Sequence, residues 1–234
     1  MTRVAKFYKA VETGHEGGAF VVRLDGKPVK TPARTLLALP TRKLADAVAE
    51  EWRAQADVLD PMTMPLTRFA YAAIDVAPAH RARLVEETLA YGNSDLLCYR
   101  AEAPAALVAR QNDAWNPLLD WADQRFGARL RTGTGIAFVE QSAESRQAFA
   151  RAVEGRDDFA LVALHGAASI TGSLVLGLAV AEGRLTAAQA FALSILDETF
   201  QAEAWGRDAE AVARAERLGA ELAAFERFLT LSRP

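Results

Sequence analysis

Residues 159–181 read FALVALHGAASITGSLVLGLAVA, and this stretch limits the folds open to the whole chain. As a helix rising about 1.5 Å per residue it is long enough to cross a bilayer, so it either spans a membrane or forms a buried central helix. His165, Ser169, Thr171 and Ser173 interrupt it and glycines recur through it. Such groups are expensive in lipid but are tolerated in a protein core that offers them hydrogen-bond partners. The reading is a buried central helix broken near Gly172, with no membrane insertion.

The rest of the chain is consistent with a globular protein. Its 234 residues are 51% hydrophobic, ample for a packed core in one large domain or two small ones. Twenty-seven Lys and Arg against 30 Asp and Glu leave a net charge of -3, so no bulk field draws the chain to nucleic acid or an anionic membrane. The single cysteine, Cys98, cannot form an internal disulfide, and no His/Cys cluster has the spacing of a zinc site. No cofactor or metal is expected. The opening MTRVAKFYKAV lacks the apolar core and cleavage site of a secretory signal, so a cytoplasmic location is expected.

Strand signals fill the first forty residues: KFYKAVE, a turn at Gly14–Gly18, AFVVRL, then Asp25-Gly26 and KPVKT. Asp-Gly between two strand-like runs marks a hairpin, because a two-residue primed turn needs positive φ at both central positions. Pro28 and Pro32 place the last strand of this meander at an edge. After Pro40 the period becomes helical, with Thr41 capping RKLADAVAEEWRAQ and Leu44, Val48 and Trp52 on the face that covers the meander. MPLTRFAYAAIDV forms a second helix opened by Pro65, and a third runs from about Ala79 to Tyr91. DLLCYRA and GIAFVE are β-prone and could return to the first sheet; between them lies a helix that Pro117 should start or kink. The remainder is helical, with Thr186 and Gln189 as a capping box for the helix carrying LDETFQAEAWG. The expected fold is α+β: a β-rich N-terminal domain with its covering helix at 1–62, packed with a larger helical domain at 63–234, to whose boundary strands near 96–101 and 136–140 are the exception.

Candidate catalytic groups are few. HGAAS and TGS do not make the G-x-S-x-G elbow of a hydrolase, and RTGTGIAF lacks both the Lys-Ser/Thr of a P-loop and a third dinucleotide glycine. Cys98, among apolar neighbours, reads as an inert thiol. His15, in a turn, and His80, near a helix start, read as solvated, and His165 as a hydrogen-bonded core histidine. An enzyme with a polar site near His165 and Asp197 is the alternative, and it requires a deep pocket holding both.

The segment LDETFQAEAWG, 196–206, holds Asp197, Glu198, Gln201, Glu203 and Trp205 on one helix, and at about 100° per residue Asp197, Gln201, Trp205 and Asp208 form a stripe beside the one made by Leu196, Phe200 and Ala204. Asp197 and Glu198 are adjacent and diverge by about 100°, which suits a shared acid/base role poorly. Periodicity alone leaves two readings, a docking surface or a solvated flank with a structural tryptophan.

The motifs FYKAV, VRLDGKPVKTP, MPLTRFAYAAID, DLLCYRA, ARQNDAWNPLLDWA, ITGSLVLGLAVAEG and LDETFQAEAWG occur in this order from Phe7 onward. Together they resemble the ATP-twelve family of mitochondria and alphaproteobacteria, assembly chaperones for the alpha subunit of the ATP synthase catalytic sector. The resemblance implies a small β-containing N-terminal domain, a helical C-terminal domain and a non-enzymatic role. It also implies that the chain binds free alpha subunit and keeps it from aggregating until beta subunit replaces the chaperone. The family's acidic helix region maps onto Asp197, Glu198, Gln201, Glu203 and Trp205, which the resemblance therefore marks as partner-binding. Phe200 stands where a tryptophan is common in the family.

Overall fold

The computed structural model describes residues 4–206 and 208–233. It is an α+β protein, with small sheets and a mostly helical body. The chain folds into two compact units. One holds the residues up to Arg81, together with Asp157–Ala163 and the chain from Arg227; the other holds Ala82–Arg156 and Leu164–Glu226.

In the first unit β1 (Val4–Ala5) is followed by β2 (Val11–Glu16), β3 (Ala19–Leu24) and β4 (Lys27–Pro28), and the last three form an antiparallel sheet in chain order. Asp25 and Gly26 take φ of 49° and 79°, the positive pair that the Asp-Gly signal demands. The Asp25 carboxylate also accepts the N–H of Ala10 at 2.8 Å, and backbone donors hold its pKa below the usual carboxylate range. The first turn is tighter than its glycine-rich sequence reads: Gly17 and Gly18 alone turn the chain, while Gly14 and His15 lie within β2. His15 stands across the strands from Phe20, their rings edge to face at 5.1 Å. Lys27–Pro28 lies at the sheet edge, where a missing N–H costs no ladder bond.

Helix α1 (Arg42–Arg53) starts at Thr41, whose hydroxyl accepts the N–H of Leu44, and it packs against β2 and β3 with Leu44, Val48 and Trp52 buried. From its last turn Glu51 reaches α2 (Pro65–Tyr71) and accepts the N–H groups of Leu66 and Thr67, each at 2.8 Å. Met64, at the head of α2, offers no side-chain cap, so a buried carboxylate from another helix satisfies those donors. β5 (Val58–Leu59) pairs with β1. Past α2 a π turn at Ala72–Val76 lets Asp75 accept from the Thr31 hydroxyl at 2.7 Å and the Ala33 N–H at 3.0 Å, and the chain enters α3 (Ala77–Asn93).

In the second unit a 3-10 turn at Leu96–Cys98 leads to β6 (Tyr99–Arg100), then α4 (Ala105–Phe126), β7 (Gly133–Thr134) and α5 (Ala143–Glu154). Two expectations are corrected here. β6 pairs in parallel with β7 and not with the first sheet, and residues 136–140 form no strand. Gly135 turns the chain at φ 73°, and both Ile136 and Phe138 are exposed, so GIAFVE has no buried face to specify a strand. Nor does Pro117 divide α4, which runs through it.

The apolar stretch becomes α6 (Asp158–Thr171) and α7 (Leu174–Ala181), broken at Gly172 with φ 64°. Every residue of α7 is buried. Ser173 caps α7, and the buried Asp95 carboxylate accepts from Val175 and Leu97 N–H groups, both at 3.0 Å. Gly166 is required by close approach: a Cβ there would lie 2.1 Å from the Phe225 ring. The last elements are α8 (Ala187–Ser194), α9 (Leu196–Trp205) and α10 (Ala209–Ser232). Thr186 and Gln189 form the expected capping box, but their helix ends before LDETFQAEAWG, since Ile195 at φ -109°, ψ 26° separates α8 from α9.

Candidate docking surface

Helix α9 presents two faces. Toward α4, the Arg110 guanidinium donates to both carboxylate oxygens of Glu203, at 2.8 and 2.9 Å, and lies 5.1 Å over the Phe200 ring. That bidentate bond raises the Arg110 pKa above its already high value. One residue along, the buried Gln111 donates through Nε2 to Asp197 Oδ1 at 2.8 Å. Gln111 also accepts the Ala101 N–H, so it is fixed at both ends. Trp115, one turn further, donates from its indole to the Leu193 carbonyl at 3.1 Å. Successive turns of α4 thus hold the end of α8 and the length of α9.

The opposite face carries Glu198, Gln201, Ala202 and Trp205 at i, i+3, i+4 and i+7, and borders an open groove of about 690 Å³ between α8, α9 and α10. Trp205 is 82% exposed, unusual for so large an apolar side chain. Glu198 and Gln201 are exposed beside it. The five residues singled out in the sequence therefore share one helix but not one face. Glu198, Gln201 and Trp205 look into the groove, whereas Asp197 and Glu203 are tied to α4. The stripe read as Asp197, Gln201, Trp205 and Asp208 loses Asp197 in this way, while its other three members line the groove.

His165 lies elsewhere on α6. The Thr88 hydroxyl donates to the Leu84 carbonyl at 2.6 Å, so its oxygen accepts from His165 Nδ1 at 3.1 Å. Burial lowers the imidazole pKa, opposed by the nearby Glu87. Neither His165 nor Asp197 lines the groove. The Cys98 thiol is buried, its pKa pushed up to about 12, which leaves it unreactive near neutrality. Among the described residues no group of His, Cys, Asp and Glu is arranged to hold a metal, and no helix is long and apolar enough to cross a membrane.

Sequence reading did not foresee the groove or the anchors. The anchors lie in ARQNDAW, where Arg110 and Gln111 stand among other polar residues of α4 and nothing local singles them out. The groove has a weaker signal, alanines and a glycine at i, i+4 spacing along α10, which reads equally well as ordinary helix composition.

The α+β fold thus carries an acidic helix that ends in an exposed tryptophan beside an open groove. The family comparison identifies the class: the model described as ATP12 chaperone protein matches residues 5–123. The chain belongs to this chaperone family, the one its motifs resemble, whose members assist ATP synthase assembly. Among its relatives is the Schizosaccharomyces pombe protein atp12, mitochondrial, 24% identical over 213 residues that cover 86% of this chain and 73% of that one. The crystal structure of Atp12 from Paracoccus denitrificans is 44% identical, covers 98% of both chains and superposes with a TM-score of 0.94. A point mutant of the same Paracoccus protein gives the same values. The Atu1473 protein of Agrobacterium tumefaciens is 42% identical with a TM-score of 0.94, over 99% of this chain and 87% of that one.

Proposed function

We propose that this chain binds the unassembled alpha subunit of the ATP synthase catalytic sector through α9 and prevents its aggregation until beta subunit takes its place. The observation that carries the reading is Trp205, 82% exposed at the end of an acidic helix in a member of a chaperone family. An unassembled subunit exposes the apolar face that its neighbour will cover, and such faces aggregate. An exposed indole offers it a large apolar contact, and flanking carboxylates orient it against client cations.

Within the site, Glu198, Gln201 and Trp205 touch the client, while Asp197 and Glu203 position α9 through Gln111 and Arg110. The chain works in the cytoplasm, without cofactor or turnover. The hydrogen bond that Thr88 accepts from His165, together with the placement of Asp197 on Gln111, favours this reading over an enzyme.

The test is suppression of alpha-subunit aggregation. Light scattering from alpha subunit diluted out of denaturant should fall in the presence of the wild-type chain and much less with Trp205→Ala. Equal scattering with and without the chain would reject the proposal.

A further inference from the structure

The groove beside α9 has a shape and charge that select what enters it. Ala192 on α8 and Ala211 and Ala215 on α10 line it at helical spacing, with Ile195 and Trp205 as larger apolar walls. Small residues in such rows let another backbone approach closely. Its three borders are helices, whose backbone N–H and C=O groups, apart from those at the helix ends, pair within the helices themselves. An extended strand would find no open edge to pair with, so recognition has to come from side chains. Glu198, Asp208 and Glu216 also line the groove, and among the described lining residues there is no Lys or Arg. Asp208 Oδ2 accepts the Ala211 N–H at 3.0 Å.

We infer that this groove receives an amphipathic α-helix of the client, its apolar stripe seated among the alanines and its flanks carrying Lys or Arg toward Glu198, Asp208 and Glu216. The inference rests on the proposed alpha-subunit reading and adds what that client presents. Helix-in-groove recognition buries residues at i, i+3, i+4 and i+7, the spacing with which Glu198, Gln201, Ala202 and Trp205 face the cleft. Carboxylates on the rim discriminate against a helix with acidic flanks by like-charge repulsion.

A photoreactive benzophenone amino acid in place of Ala192, and separately in place of Ala215, tests this directly. Each variant is mixed with purified alpha subunit, irradiated, digested and mapped by mass spectrometry. Cross-links are expected on one helical segment with an apolar stripe and flanking Lys or Arg. Cross-links on a strand, on a loop or on a second copy of this chain would overturn the inference, as would a stable complex that yields none. In parallel, Ala192→Trp fills the groove from its wall and should weaken alpha-subunit binding at least tenfold with an unchanged melting temperature. Unchanged binding would overturn the groove assignment while leaving the functional reading in place. If the wild-type chain forms no complex with alpha subunit, the functional reading fails and the inference fails with it.

Discussion

Arg110 on α4 and Glu203 on α9 meet through two parallel hydrogen bonds of 2.8 and 2.9 Å, so one carboxylate of the acidic helix is engaged within the chain itself. Both side chains remain about half exposed, so solvent screens the pair and it adds little to stability. Its role is geometric. Glu203→Lys should weaken alpha-subunit binding by releasing α9, with a small change in melting temperature. The double exchange Arg110→Glu with Glu203→Lys should restore binding, measured by calorimetry. Binding that stays lost in the double variant would make Glu203 a direct client contact.

Trp205→Ala separates binding from folding. An exposed substitution changes stability by about 0.5 kcal/mol or less, whereas loss of an aromatic anchor costs about 2 kcal/mol or more in binding, roughly thirtyfold in Kd. A melting curve matching wild type together with a Kd raised at least that far is the expected pair of results. An unchanged Kd would make Trp205 a surface residue with no part in docking.

Gly166 tests the packing of α6 against α10 within the second unit. Since an added Cβ would fall 2.1 Å from the Phe225 ring, Gly166→Ala should destabilise by about 1–3 kcal/mol through overpacking. Phe225→Leu alone leaves a cavity, but combined with Gly166→Ala it should recover part of the loss. Urea unfolding of the three variants measures the coupling, and strictly additive losses would contradict the contact.

Asp95 predicts a pH dependence. Burial pushes its carboxyl up to about 6, against the N–H donors of Val175 and Leu97 that favour the ionised form. The folded carboxyl therefore keeps its proton at pH values where the unfolded one, near an ordinary value of about 3.9, has lost it. The stability that this linkage contributes is fully present below about pH 4 and is lost as pH rises through about 6. The stability difference between wild type and Asp95→Asn should shift toward wild type by roughly 2–3 kcal/mol as pH falls from about 7.5 to about 4. A pH-independent difference in urea unfolding would contradict it.

The sequence was most legible where one residue type has one local solution. Asp25-Gly26 forms its positive-φ turn, Thr41 and Thr186 cap their helices, and Gly172 breaks the apolar stretch. It was least legible where the outcome depends on residues far apart in the chain. GIAFVE has strand-forming residues, yet its pairing needs a partner edge, and the strand that forms there is Gly133–Thr134, paired with Tyr99–Arg100. Period placed Asp197 beside Gln201 and Trp205, but Gln111, 86 residues earlier, draws its carboxylate toward α4. The break at Ile195 was equally hidden, because no Gly or Pro marks it.

The central claim, that the chain holds free alpha subunit and yields it to beta subunit, is tested most directly by size-exclusion chromatography of purified components. Chain and alpha subunit should co-elute as a soluble complex, and added beta subunit should move alpha into a larger assembly and return the chain to its own elution volume. Separate elution of chain and alpha subunit, or a complex that beta subunit leaves intact, would contradict the account.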